Sequence, residues 1–277
     1  MFEPNAKLSA RPVRLFLASM ASVLLFVLPA TAHEFWIAAD DYSVSQGEKI
    51  SARLRVGQMM EGIELPWLSR QIRSFQYYAP DKPRDVVGRE GDRPALVYEA
   101  KEPGLHIIAH ETLPLEVTFD TMEEFSEYLE YEGLGQIVAA HHDRGLPQSG
   151  ITEAYTRFAK TLVQVGSVQP DDQDRMLGLM FELTVLANPY AGDPVLPVVL
   201  TWQGSPEAEA QIAVFRELNG AVERTLITTG ANGRAEIPLH KAGGRYLLNA
   251  VHIEPVSGDG PVWESSWASL TFEAPAR

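Results

Sequence analysis

The chain has 277 residues, 45% of them hydrophobic, with 23 Lys and Arg against 37 Asp and Glu and no cysteine. That length supports a substantial core and two small domains. The missing cysteine excludes disulfides, thiolate metal sites, covalent haem attachment, a catalytic thiol and a lipidated cysteine anchor, and a formal charge of −14 without clustered Lys and Arg excludes a nucleic-acid binder.

The first 32 residues read as an export signal. Lys7, Arg11 and Arg14 make a positive start, Leu15 to Leu28 an apolar run, and Ala30-Thr31-Ala32 a small-residue cleavage pattern. The apolar run falls short of the roughly 20 residues of a membrane-spanning helix. Cleavage after Ala32 and a periplasmic mature chain without a transmembrane helix are therefore expected. Such a chain keeps 245 residues, and losing three cations and one acidic residue moves its formal charge to −16.

Cleavage there makes His33 the new terminus, ahead of Glu34, Phe35, Trp36 and Ile37. An N-terminal histidine is a preformed chelate, because its α-amino nitrogen and imidazole Nδ1 can close on one ion. Nitrogen donors suit Cu2+ and Ni2+. The plain alternative is a frayed end left by processing, although the β-prone residues that follow should tie the terminus into a sheet.

From residue 33 to 119, short β-type runs alternate with turn residues: Lys49 to Val56, Ser74 to Tyr78, Ala95 to Tyr98 and Leu105 to Ala109. This is the spacing of an N-terminal β-sandwich. Residues 120–175 change period and read as a helical insertion or linker. Thr121 with Glu124 forms a capping box ahead of Phe125 and Leu129, Glu132-Gly133-Leu134-Gly135 ends that helix, and Ile151, Tyr155, Phe158 and Leu162 suggest a second helix from Thr152. Residues 176–277 return to seven short strands, with a tight hairpin turn at Gly230-Ala231-Asn232-Gly233. The expected fold is mainly β: two β-sandwich portions, the second immunoglobulin-like or prealbumin-like, around a short helical insertion.

The mature start HEFWI and the blocks FSEYLEYEGL, EAYTRFAKTLVQVG, FELTVLANPYAGDPVLPVVLTWQGSP, TTGANGRAEIPLHKAGGRYLLNAVHIEP and WESSWASLTFE resemble, in order and spacing, the exported DUF4198 family. That family is related to the NikM-like periplasmic component of nickel and cobalt uptake systems. The resemblance covers nearly all of the mature chain and implies a periplasmic β-sandwich protein with a role in handling Ni2+ or Co2+.

Seven histidines are available as ligands. His33 ranks first. His252 alternates with Val251 and Ile253 and so faces away from two aliphatics; pairing it with His33 would let a metal bridge the two sandwiches. His106 and His110 share a strand face about 13 Å apart, so one ion can take at most one of them, and inward strand histidines more often make core hydrogen bonds. His141-His142 reads as a solvated helix end, His240 as a turn residue, and Met59-Met60 as core or loop filling. Glu123, Glu124, Glu127, Glu130 and Glu132 should line the outer face of the helix, while Asp171, Asp172 and Asp174 should be solvated loop charge. No nucleophile elbow, phosphate loop, dinucleotide fingerprint or H-E-x-x-H motif occurs, so an enzyme is not expected.

The leading expectation is thus an exported transition-metal-binding protein, with Ni2+ or Co2+ favoured and Cu2+ second, that presents its ion to a membrane uptake component. A metal-free module binding protein or polysaccharide is the alternative. A copper oxidase built on the N-terminal histidine is a minor one.

Overall fold

The structure is a computed structural model of the chain and describes residues 33–80, 82–169 and 171–277. The export-signal reading falls on residues 1–32, outside the described residues. Strand accounts for 54% and helix for 9%, which makes the fold mainly β, with open sheets and two helices. Among the described residues no helix is long and apolar enough to cross a membrane.

In chain order the first strands are β1 (Glu34–Ala39), β2 (Ser43–Val44), β3 (Lys49–Gln58), β4 (Glu61–Leu65), β5 (Ile72–Ala79), β6 (Lys82–Asp85), β7 (Leu96–Glu99), β8 (Gly104–Thr112) and β9 (Leu115–Thr121). The helices α1 (Met122–Tyr131) and α2 (Gln136–Asp143) follow, then the long β10 (Ser149–Val165). The last strands are β11 (Phe181–Val185), β12 (Val195–Trp202), β13 (Ser205–Pro206), β14 (Gln211–Leu218), β15 (Ala221–Thr228), β16 (Arg234–Pro238), β17 (Gly244–Pro255) and β18 (Trp263–Ala274).

A ten-stranded sheet runs β15-β14-β17-β18-β10-β8-β5-β6, with β2 and β9 also paired to β10. It takes strands from both β portions of the chain and joins them through β10, which runs parallel to β18 and antiparallel to β8. Two four-stranded sheets flank it, one of β1, β3, β4 and β7, the other of β11, β12, β13 and β16.

Alternation along each strand assigns side chains to the two faces of the central sheet. On one face, here face A, Phe75, Tyr77, Ile108, Ala159 and Val163 form a core with Phe35, Ile37, Leu54 and Trp67 of the first sheet and its loops. On face B, Phe158, Leu162, Val214, Leu248, Leu270 and Phe272 pack against Leu183, Leu196, Val198, Leu200 and Ile237 of the last sheet. Farther along face A the helices cover Ile151, Val251, Trp263 and Trp267 with Phe125, Tyr128 and Leu129.

The N-cap half of the capping box forms as expected, and its return bond is shifted one residue toward the start of the chain. Thr121 is the N-cap of α1 and its Oγ1 accepts from Glu124 N at 3.2 Å, while Glu124 Oε2 accepts from Asp120 N at 3.0 Å. The helix expected from Thr152, by contrast, is the strand β10. Every residue from Arg157 to Val165 is buried, so apolar residues fall on both faces, the polar Arg157, Lys160 and Gln164 are buried with them, and the period-2 signature disappears. The turn Gly230-Ala231-Asn232-Gly233 is tight, with Gly233 N donating to Gly230 O at 2.9 Å, but the flanking β15 and β16 belong to different sheets, so it crosses between layers and closes no hairpin. Gly233 (φ +69°) must remain glycine: a Cβ there would sit 2.6 Å from Leu200 O.

Face B also corrects one reading of loop charge. Asp174 is buried, and with Glu182 it receives the buried Lys160 of β10, at 2.9 and 3.1 Å respectively. Glu182 further accepts from the backbone N–H groups of Leu177, Gly178 and Leu179 at 2.8 to 3.1 Å. The triad thereby pins the segment before β11 to the sheet.

Two stability predictions follow from these contacts. Lys160→Ala leaves two buried carboxylates without their cation and should cost about 3–5 kcal/mol in urea unfolding. Thr121→Ala loses one cap bond and should cost about 1 kcal/mol; equal and negligible losses would contradict both assignments.

Candidate metal centre and buried carboxyl hub

His33 immediately precedes β1, and its carbonyl accepts from Arg157 Nη2 of β10 at 3.2 Å. Two residues on, the Phe35 ring centroid lies 5.4 Å from that of His110. Phe75, opposite His110 in the β5–β8 register, meets that imidazole edge-on at 4.9 Å. His110 is 2% exposed, and neither ring nitrogen has a hydrogen-bond partner. Burial alone pushes its pKa down to about 3, so the ring is neutral and keeps a free lone pair at any physiological pH.

A cavity of about 20 Å³ beside His110 is lined also by Phe35, Thr112 and Arg157, enough for one water-sized species. The Arg157 guanidinium lies 5.5 Å from the Phe35 ring and 4.7 Å from the Tyr155 ring. Arg157 thus links His33 and the His110 cavity.

His106 is used differently. Its Nε2 lies 2.8 Å from Glu102 O, and a carbonyl can only accept, so Nε2 carries the proton and Nδ1 receives the Tyr77 hydroxyl. Both nitrogens are occupied, leaving His106 a core hydrogen-bonding group.

His252 does not join His33. The expected pairing fails because residue 252 falls on face B of β17, where the ring stacks on Trp202 of β12 at 4.1 Å and 19°, whereas His33 heads a strand on face A with the central sheet between them. The histidine doublet also splits. His141 is buried, with Nε2 2.9 Å from Pro147 O and Nδ1 accepting from Trp263 Nε1 at 3.0 Å, while His142 is exposed. His240 is the expected turn residue, its Nδ1 accepting from Ala242 N at 3.1 Å. Met59-Met60 is the tip of the β3–β4 hairpin, both residues at positive φ and packed near Trp36.

On the other side of β1 lies a group of acids whose burial the sequence did not show. Glu34, Glu132 and Glu153 are 1%, 3% and 0% exposed. Glu34 accepts from Tyr131 Oη at 3.2 Å, Glu132 from Asn249 Nδ2 at 3.3 Å, and Glu153 from Tyr128 Oη at 3.3 Å and from the Ser265 hydroxyl. Each carboxyl keeps one oxygen without a partner, as does the Asn249 amide. Arg224 donates to Tyr131 O at 2.7 Å and stacks on that tyrosine ring at 3.9 Å. Glu132, expected on the outer face of α1, is its C-cap and turns inward.

Burial is the main cause that raises all three acids. Glu132 is pushed to about 8, with the negative charge of Glu34 adding to the effect, and Glu153 to about 7; Glu34 is also raised. The larger clefts, of about 510 and 450 Å³, are lined by other residues. The hub therefore holds protons and anchors the head of β1.

A raised carboxyl binds its proton more tightly in the folded chain, so stability is full below the unfolded value of about 4.5 and falls as pH rises toward about 8. Glu132→Gln and Glu153→Gln should flatten that decline in urea unfolding between about pH 5 and pH 9. A decline of the same slope in both variants would remove the hub as its origin.

Among the described residues no group of three or more His, Cys, Asp or Glu is arranged to hold a metal ion. A centre at His33 needs a donor beyond those side chains, and a liberated α-amino nitrogen is one.

No curated protein matches the chain. Solved structures similar to it include a tetra-tandem repeat from the extending region of a large adhesion protein (12% identity, 88% of this chain and 50% of that one, TM-score 0.19). Others are a Salmonella alpha-2-macroglobulin mutant (12%, 87% and 15%, 0.22) and the human OSCAR ligand-binding domain (14%, 84% and 96%, 0.19). At these TM-scores the three likenesses carry no weight for fold or function, and the chain spans at most half the length of the first two. The family described as a domain of unknown function, DUF4198, matches residues 30–254, and the chain belongs to it.

Proposed function

We propose that the chain, once exported and cleaved after Ala32, is a periplasmic protein that binds a transition ion at the head of β1 and presents it to a membrane uptake component. The observation that carries this reading is His110: a buried imidazole without a hydrogen-bond partner, its pKa pushed down to about 3 by burial, set against Phe35, two residues after His33. A neutral ring is what a metal requires, since protonated imidazole cannot ligate. The donors would be the α-amino nitrogen and Nδ1 of His33 with one nitrogen of His110, while Arg157 holds the His33 carbonyl in place.

Three nitrogen donors and no sulfur suit Ni2+, Co2+ or Cu2+. The cysteine-free composition is compatible with that donor set. The acidic surface of the mature chain adds attraction for cations.

Calorimetry with Ni2+, Co2+ and Cu2+ on a protein whose first residue is His33 tests the reading. One ion per chain should bind, and both an extra residue ahead of His33 and His110→Ala should remove the tight phase. Failure of the His33-initiated protein to bind any of the three ions would refute it, as would unchanged affinity in the extended form.

A further inference from the structure

On face B, at the far end of β17, an imidazole is oriented by one carboxylate and turns its other, buried and unpartnered nitrogen toward a second. His252 Nδ1 lies 2.8 Å from Glu207 Oε1. A carboxylate can only accept, so Nδ1 carries a proton, and in the tautomer this fixes the lone pair is on Nε2. That nitrogen has no hydrogen-bond partner. Its nearest acid is Glu254 two residues on, whose Oε1 stands 3.8 Å away, beyond hydrogen-bonding distance.

The surroundings fix this geometry. Glu207 N donates to Leu200 O at 2.9 Å and its own carbonyl accepts from Thr229 Oγ1 at 2.7 Å, so the orienting carboxylate stands on a tethered backbone. Trp202 stacks on one face of the imidazole, and Phe181 lies at 6.0 Å. An ionised acid on Nδ1 with the opposite nitrogen unpartnered is how proteins hold an imidazole for metal ligation, because the acid fixes the tautomer and raises the basicity of the ligating nitrogen.

We propose that His252 Nε2 and Glu254 form a second divalent-cation site, separate from the head of β1, with Glu207 as its positioning residue. Metal bonds to nitrogen and oxygen of about 2.1 Å can together span the gap between the two atoms, and Glu254 is half exposed and free to adjust. Imidazole plus carboxylate selects borderline divalent ions such as Ni2+, Co2+, Zn2+ or Cu2+ over Ca2+ or Mg2+. Nε2 itself is shielded from solvent, so water completes the coordination from the side of the half-exposed Glu254.

Trp202 supplies the readout, since a paramagnetic ion on the imidazole it stacks against quenches its fluorescence. The test uses residues 33–277 carrying His33→Ala, which removes the N-terminal chelate, titrated with Ni2+ and with Cu2+. Saturable quenching of one ion per chain is expected, absent in an added Trp202→Phe. His252→Ala and Glu254→Gln should abolish it, and Glu207→Gln should weaken it about 10-fold with the stoichiometry kept. Glu254→Gln changes a half-exposed side chain and keeps the fold testable if His252→Ala does not. Absence of saturable quenching in the His33→Ala protein, or quenching that survives Glu254→Gln at full affinity, would overturn the proposal. A protein that binds only through His33 would leave the N-terminal reading standing and remove this one; binding only through His252 would do the reverse.

Discussion

The arrangement around the candidate centre depends on β1 being buried on both sides. Phe35 and Ile37 enter the core shared with β5, β8 and β10, while Trp36 turns the other way against Phe215 and Leu247. Burying a side chain of this size contributes about 1.5–3 kcal/mol, so three consecutive residues commit the strand firmly. Thr271 of β18 adds a hydroxyl bond to Ile37 O at 2.6 Å, tying β1 to the middle of the central sheet. Residue 33 is consequently delivered to a fixed place at the protein's interior edge.

That delivery has an electrostatic cost, visible on both sides of the strand. Glu34 enters the interior one residue after His33 and meets two more acids, and burial of three carboxyls is tolerable only if protons or positive charge accompany them. The raised values of Glu132 and Glu153 show protons meeting part of the need. Arg157 and Arg224 approach from the sheet and hydrogen-bond to carbonyls and stack on aromatic rings. Polar groups gathered at one junction with unpartnered atoms mark it as a functional candidate more strongly than any cleft on the surface. On face B the Lys160 triad shows the contrasting outcome, two acids sharing a buried cation in a structural tie.

Strands with one apolar and one polar face were legible in the sequence. β3 alternates buried and less buried residues along KISARLR, and β12 begins and ends where its β-prone run does. The capping box of α1 was legible because its determinants lie within five residues. β10 was not, since burial on both faces erased its alternation and left apolar residues at chance helical spacing. The histidines show the same limit at the site. His106 and His110 occupy equivalent places on one strand, and only the cross-strand register decides that one meets Tyr77 and the other Phe75. Glu132 and Glu153 carried no local sign of burial, because their partners Asn249 and Ser265 lie more than a hundred positions away and Tyr128, which also meets Glu153, lies 25 positions away on α1.

The proposed centre depends on which atom begins the working protein, because the chelate exists only if His33 carries a free α-amino group. Mass spectrometry of the amino terminus of the exported protein tests this most directly. A terminus at His33, directly ahead of Glu34, is the predicted result. A mature chain that starts upstream or downstream of His33 would contradict the proposed centre at the head of β1.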